Sequence, residues 1–315
     1  RSSLAASKTP NANLFIAGWL IYPPNLLQSP LTKKSKRYWK SWRSRLKGLI
    51  LAITSLDAFL ASAKQRSSLF RTASRTAVAT GWFSVFDLAG DPGAGVLAGT
   101  STAAGVVPTD AMAGCPLINT FGGGNAGYLA QIEYASTVAC RIALFDLLFK
   151  AGAYAFNANT ALSAQPSFSG RVPGGTDYTA TEIWVEQVTA ATGNQAVNVT
   201  YTNQSGTTGR TTGATGIGAA PTLGRCWQLP FQSGDTGVQV ITNVAGSVAT
   251  VGTFNVLVLR RLASMRVGIA NFGDTLDLLR LGMPQVFDTT AYYMLIAADS
   301  TATGLPDLEI TTVNG

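Results

Sequence analysis

EIWVEQVT (Glu182–Thr189), AVNVTYT (Ala196–Thr202), RCWQLPF (Arg225–Phe231), GVQVITNV (Gly237–Val244) and VGTFNVLVLRRL (Val251–Leu262) follow one another within Thr181–Met265. Each is short, rich in β-branched and aromatic residues, and separated from the next by Gly, Asn and Thr. That pattern predicts strands of an antiparallel sheet, not helices. Val197, Val199 and Tyr201 alternate cleanly with polar residues, so one face of that strand is buried. Working outward from this region, the fold class expected is mainly β: an antiparallel β-sandwich or jelly-roll-like body, with an N-terminal basic arm and an amphipathic helix.

The 315 residues suffice for one large β domain or two smaller ones. The reading taken is a basic arm with an amphipathic helix over residues 1–75 and a β-rich body over residues 76–315, divisible into two sub-sheets near 151–180. Only 12% of residues are charged, and 33 are glycine. A surface so poor in charge suits a chain that assembles with copies of itself. No run of 18 apolar residues predicts a membrane span.

Charge is unevenly placed. Residues 1–75 carry 14 Lys and Arg against the single acid Asp57, a formal +13, and the remainder carries a formal −6. The cations concentrate at Lys33, Lys34, Lys36, Arg37, Lys40, Arg43, Arg45 and Lys47, interleaved with Tyr38, Trp39 and Trp42. These eight cations are the candidates for assembly or polyanion binding, with Trp39 and Trp42 as aromatic anchors. Leu46, Leu49, Ile50, Ile53, Leu56, Phe59 and Leu60 recur at helical spacing, which predicts an amphipathic helix over Lys40–Lys64. Such a helix fits packing on a neighbouring subunit, phosphate neutralisation on nucleic acid, or, least favoured, a membrane surface.

Beyond the arm, Gly93–Gly124 is rich in Gly, Ala and Thr and reads as an extended surface excursion. Its Gly122-Gly123-Gly124 run lacks the Lys-Ser/Thr of a phosphate loop. Tyr128–Tyr134 is apolar, and Thr137–Lys150 fits either a helix or a long buried strand. Asn203–Pro221 predicts a long β-loop or projecting hairpin, and Leu308–Val313 an edge strand open to a neighbouring subunit.

Catalytic chemistry has little to work with. The chain contains no histidine, which removes imidazole acid–base chemistry, histidine triads and the common zinc sites. Cys115, Cys140 and Cys226 are an odd number among apolar neighbours and read as buried free thiols. The carboxylate pairs Asp87 and Asp91, Glu182 and Glu186, and Asp274 and Asp277 read as surface groups, and Asp274 and Asp277, the pair that could support a cation, lack the spacing of a calcium loop. No catalytic residue, metal site or cofactor is expected.

The basic Lys33–Lys64 arm combined with the Thr/Gly/Ala-rich β region Thr181–Met265 resembles tailed-bacteriophage virion structural proteins of the capsid-associated or decoration type. The resemblance implies a non-enzymatic virion protein that binds or stabilises a capsid shell through an oligomeric β body and an extended arm. Its partners would be copies of itself and other capsid proteins, with nucleic acid as a further contact of the arm. The alternatives are a major shell subunit, a tail or fibre component, and a carbohydrate-binding β module with Trp184 or Trp227 as the platform.

Overall fold

The computed structural model describes residues 55–122, 126–246 and 248–315. Among these residues the body is mainly β and antiparallel, as expected. The first part of the chain contributes β1 (Lys64–Arg71), β2 (Trp82–Ser84), β3 (Gly90–Asp91), β4 (Gly127–Ser136) and β5 (Cys140–Ala155). The middle contributes β6 (Asn159–Ala161), β7 (Thr181–Thr189), β8 (Val197–Asn203), β9 (Arg210–Thr211), β10 (Arg225–Leu229) and β11 (Val238–Gly246). The last part contributes β12 (Thr253–Val267), β13 (Phe272–Leu276), β14 (Gln285–Val286), β15 (Tyr292–Ala298) and β16 (Pro306–Asn314). Among the described residues helix is limited to α1 (Leu56–Ala61), α2 (Leu278–Leu281) and two 3₁₀ turns.

Six strands close a barrel in the order β10, β2, β15, β5, β12, β7. A second sheet runs β13, β4, β16, β1, β3, with β14 also on β4, and a third runs β6, β11, β8, β9. All five segments quoted from Thr181–Met265 are strands, but they do not share one sheet. β7, β10 and β12 belong to the barrel, whereas β8 and β11 form the centre of the four-stranded sheet. Alternation fixes which side chains turn inward and says nothing about which strand is the neighbour.

Three apolar clusters follow from this arrangement. The barrel interior is filled by Trp82, Phe145, Leu147, Trp184, Cys226, Leu257, Leu259, Tyr293 and Leu295, so that all six barrel strands contribute. Outside the barrel, Ile142, Leu144, Leu262, Met265, Met294 and Ile296 pack against Leu69, Leu129, Ile132, Tyr134, Leu308 and Ile310 of the second sheet. Farther along the same strands, Leu148, Phe149, Phe254, Val256 and Val258 pack against Val197, Val199, Tyr201, Val238, Ile241 and Val244 of the third. Fully burying one such side chain contributes roughly 1.5–3 kcal/mol. β5 and β12 are thus covered on both faces, which explains why Thr137–Lys150 lacks alternation and reads ambiguously. Register shifts at Phe254/Val256, Val258/Leu259 and Arg261/Ala263 let this long ribbon bend around the barrel.

Other expectations are corrected. Leu308–Val313 is not an edge: β16 lies between β4 and β1 and pairs with both along most of its length. Gly93–Gly122 is a surface excursion only in part: most of its residues keep some exposure, but several pack inward. Leu97, Cys115, Ile118 and Phe121 are buried, and Gly99 approaches Gly152 so closely that an added Cβ would stand 2.8 Å from the Gly152 nitrogen. The small residues that suggested exposure instead permit close approach to the barrel wall. Of the predicted helix Lys40–Lys64, the described part is α1, capped by Ser55 Oγ on the Ala58 amide at 3.1 Å. Lys64 already belongs to β1, and its Nζ turns back to the Phe59 and Leu60 carbonyls at 3.3 and 3.4 Å.

Where the two outer packings meet on the β5–β12 ribbon, polar groups replace apolar ones. Asp146 and Arg260 are direct cross-strand partners, and Arg171 joins them from a 3₁₀ turn. Asp146 is wholly buried and accepts from Arg171, from Arg260 at 3.2 Å, from Thr290 at 3.4 Å and from the Ala291 amide at 3.2 Å. Replacing Asp146 by Asn leaves two buried guanidiniums without their counter-charge, at a cost of about 3–5 kcal/mol. Breaking the exposed Arg266–Asp299 pair, 3.2 Å apart, costs less than about 1 kcal/mol. Urea unfolding of Asp146→Asn and Asp299→Asn should separate the two values; equal shifts in midpoint would refute this account.

Candidate functional site

The densest set of chemically competent side chains lies inside the barrel. Glu186 on β7 faces Asn255 on β12 directly across the ladder. Asn255 Nδ2 donates to Glu186 Oε2 at 2.7 Å and to the Leu97 carbonyl at 2.6 Å, and Asn255 Oδ1 accepts from the Gly99 amide at 2.9 Å. Tyr293 OH donates to the other oxygen of Glu186 and lies 2.7 Å from Ser84 Oγ. Lys150 Nζ is 4.0 Å from Glu186 Oε2, donates to the Val96 carbonyl at 3.0 Å, and lies 5.4 Å from the centre of the Phe86 ring. Glu186, Asn255, Tyr293 and Ser84 are fully buried, and Lys150 is 3% exposed. Burial, then the Glu186 charge, raises Tyr293 well above the ordinary phenol range. The network holds the Val96–Gly99 segment against the barrel and has the partners that buried polar groups require.

A second cluster anchors the predicted Asn203–Pro221 hairpin. Asp235 accepts from Arg210 Nε at 2.8 Å, Asn203 Nδ2 at 2.7 Å and Tyr201 OH at 2.7 Å. The Arg210 bond is the main reason the Asp235 carboxyl is lowered to about 2, and burial, then the bond to Asp235, pushes the Tyr201 hydroxyl up to about 12. On the outer face of the second sheet, a groove of about 230 Å³ is lined by Glu133, Asp274, Asp307 and Glu309, with Glu133 and Glu309 directly opposite one another.

The sequence-based candidates fare unevenly. Lys33, Lys34, Lys36, Arg37, Lys40, Arg43, Arg45, Lys47, Trp39 and Trp42 lie outside the described residues. Glu186 is not the surface carboxylate expected, whereas Glu182 is partly exposed and paired with Arg261 at 2.9 Å. Asp87 pairs with Arg75, and Asp277 caps α2 through the Leu279 and Arg280 amides. Trp184 and Trp227 are 2% and 5% exposed, which removes both as a carbohydrate platform. Cys115, Cys140 and Cys226 are buried free thiols, as expected, and burial pushes Cys115 up to about 12. Among the described residues no group of three or more Cys, Asp or Glu is placed to hold a metal ion.

Sequence reasoning missed the functional weight of Lys150, Asn255, Asp146 and Arg171. For Asp146, Lys150 and Asn255 the signal present was a charge or amide inside an apolar run, as in ALFDLLFKAGAY and TFNVLVL; Arg171, in SFSGRVPG, carried none. A strand buried on both faces admits such a group only with partners.

No protein-family model matches the sequence, and no curated protein does. Among solved structures, the chain is similar to infectious bursal disease virus strain Gx at 10% identity, covering 80% of each chain with a TM-score of 0.16. The VP2 protein of that virus in derived T=1 particles matches at 10% identity, covering 88% of this chain and 82% of that one, with a TM-score of 0.15. Its VP2 subviral particle matches at 8% identity over 80% of each chain, TM-score 0.15. Likeness at these TM-scores transfers neither fold nor role to this chain. The structures matched are of a virus outside the tailed bacteriophages, and the resemblance to tailed-phage decoration proteins is not carried further. The features that carried it, a basic arm and a Thr/Gly-rich β body, are compositional and do not specify a lineage.

Because the Asp235 carboxyl is lowered on folding, its contribution is complete above the unfolded carboxyl value of about 3.9 and lost as pH falls through about 2. Asp235→Asn should therefore be less stable than the parent at pH 6, with the gap narrowing between pH 4 and 2. Denaturant midpoints across that range test this, and a constant gap would contradict it.

Proposed function

We propose that this chain is a non-catalytic shell subunit of a virus capsid, located in the virion, with the β body forming the wall and the Lys33–Lys47 segment contacting the enclosed nucleic acid. The observation that carries the reading is the partition of charge: +10 over residues 1–54 against −3 over the rest. A concentrated cation segment neutralises phosphates without base-specific chemistry, which suits packaging. A net-negative body does not compete for the same polyanion. Three sheets packed through continuous apolar clusters give the body the rigidity that a repeated wall unit needs.

A shell subunit is preferred over a protein that attaches to a finished shell because the same chain supplies both wall and polyanion contact. Homo-oligomerisation follows from this reading, and other capsid proteins would be further partners. Expressed as the full chain, the protein should form closed particles that retain nuclease-protected nucleic acid. Deleting residues 1–54 should leave the body folded and remove the nucleic acid. If all eight cations of Lys33–Lys47 neutralise single-stranded phosphates, log affinity should fall with log salt at a slope of roughly −6. Electron microscopy with a salt titration tests both parts. Salt-independent retention would refute the role of the arm, and absence of closed particles would refute the shell role.

A further inference from the structure

The geometry inside the barrel points to covalent chemistry that does not depend on the proposed capsid role. We infer that Lys150 and Asn255 are joined by an intramolecular isopeptide bond, formed with Glu186 as proton carrier, which ties β5 to β12. Lys150 pairs with Leu257, two residues along β12 from Asn255, so amine and amide are diagonal neighbours inside the barrel. Such neighbours have backbones about 7–8 Å apart, within reach of a lysine side chain. Both groups meet the same carboxylate oxygen: Glu186 Oε2 is 4.0 Å from Lys150 Nζ and 2.7 Å from Asn255 Nδ2.

The remaining contacts suit acyl transfer. The Gly99 amide donates to Asn255 Oδ1 at 2.9 Å, where negative charge develops when the amide carbon is attacked. Space around that oxygen is kept by glycine, since a Cβ on Gly152 would stand 2.2 Å from Asn255 Oδ1. Tyr293 holds the far oxygen of Glu186 and is itself held by Ser84, so the pair are positioning residues. Burial of all three reacting groups excludes the water that would otherwise compete for the amide carbon.

The steps balance without an added reagent. Lys150 passes a proton to Glu186 and becomes a neutral nucleophile. Its nitrogen attacks Cγ of Asn255, and the oxyanion is held by the Gly99 amide. Glu186 returns its proton to Nδ2, the bond from Cγ to Nδ2 breaks, and the amine proton follows through Glu186. Lysine ammonium plus side-chain amide thus gives the substituted amide plus ammonium, and Glu186 ends as it began.

Intact-mass spectrometry of the folded full-length chain, run under denaturing conditions, tests the inference. The parent should weigh less than its sequence by one ammonia, and proteolysis should release a branched peptide joining the segments that contain Lys150 and Asn255. Lys150→Arg, which keeps the charge, and Glu186→Gln, which keeps the shape, should both show the full sequence mass. A folded parent at full sequence mass overturns the inference. So does ammonia loss that persists in Lys150→Arg, since this would place the loss at another amide.

Discussion

The pairing of β5 with β12 is the constraint on which the other elements depend. Thirteen residue pairs join these strands from Cys140↔Val267 to Ala155↔Thr253, spanning almost the full length of both. The inward side chains of the ribbon fill the barrel, and its outward side chains carry one flanking sheet on each half. Loss of this pairing would therefore open the barrel and separate both sheets together. Because most of these contacts join residues distant in sequence, the ribbon forms against a large loop-closure entropy and needs dense packing in return.

The two buried polar centres sit on this ribbon and do different work. Asp146, Arg171 and Arg260 occupy the seam between the two outer apolar clusters. One carboxylate facing two guanidiniums leaves excess positive charge, eased by the Leu147 and Pro108 carbonyls on Arg171 and by the Phe287 ring 5.4 Å from Arg260. Apolar replacements could match such a cluster in stability but would not fix the register of Asp146 against Arg260. The Glu186 centre lies inside the barrel instead and fixes the position of the Val96–Gly99 segment through backbone groups.

The strand content of Thr181–Met265 was legible because alternation is a local property. Val197, Val199 and Tyr201 announce their buried face without reference to any partner. What was not legible depends on distant residues. Leu308, Ile310 and the exposed Glu309 alternate identically whether β16 is an edge or the middle of a sheet, and only β1, some 240 residues earlier in the chain, decides the matter. Within Gly93–Gly122 the inward-packed positions were hidden for a related reason: small residues permit both exposure and close packing, and the barrel wall that selects packing lies elsewhere in sequence. The barrel centre was half visible, since Lys150 and Asn255 interrupt apolar runs, but their convergence on Glu186 arises from closure of the sheet.

Burial of these polar groups also bears on what surrounds the body. Residues 76–315 hold nine basic side chains, and three of them, Lys150, Arg171 and Arg260, are buried with Asp146 and Glu186. The surface is therefore poorer in charge than the composition alone implies. At the same time Leu279 is 83% exposed, Leu117 72%, Val251 69% and Ile269 68%. A monomer gains solubility from surface charge and loses it to exposed apolar side chains, so this body is placed unfavourably on both counts. Covering such sites with neighbouring copies would remove apolar area from water while leaving few charges to desolvate.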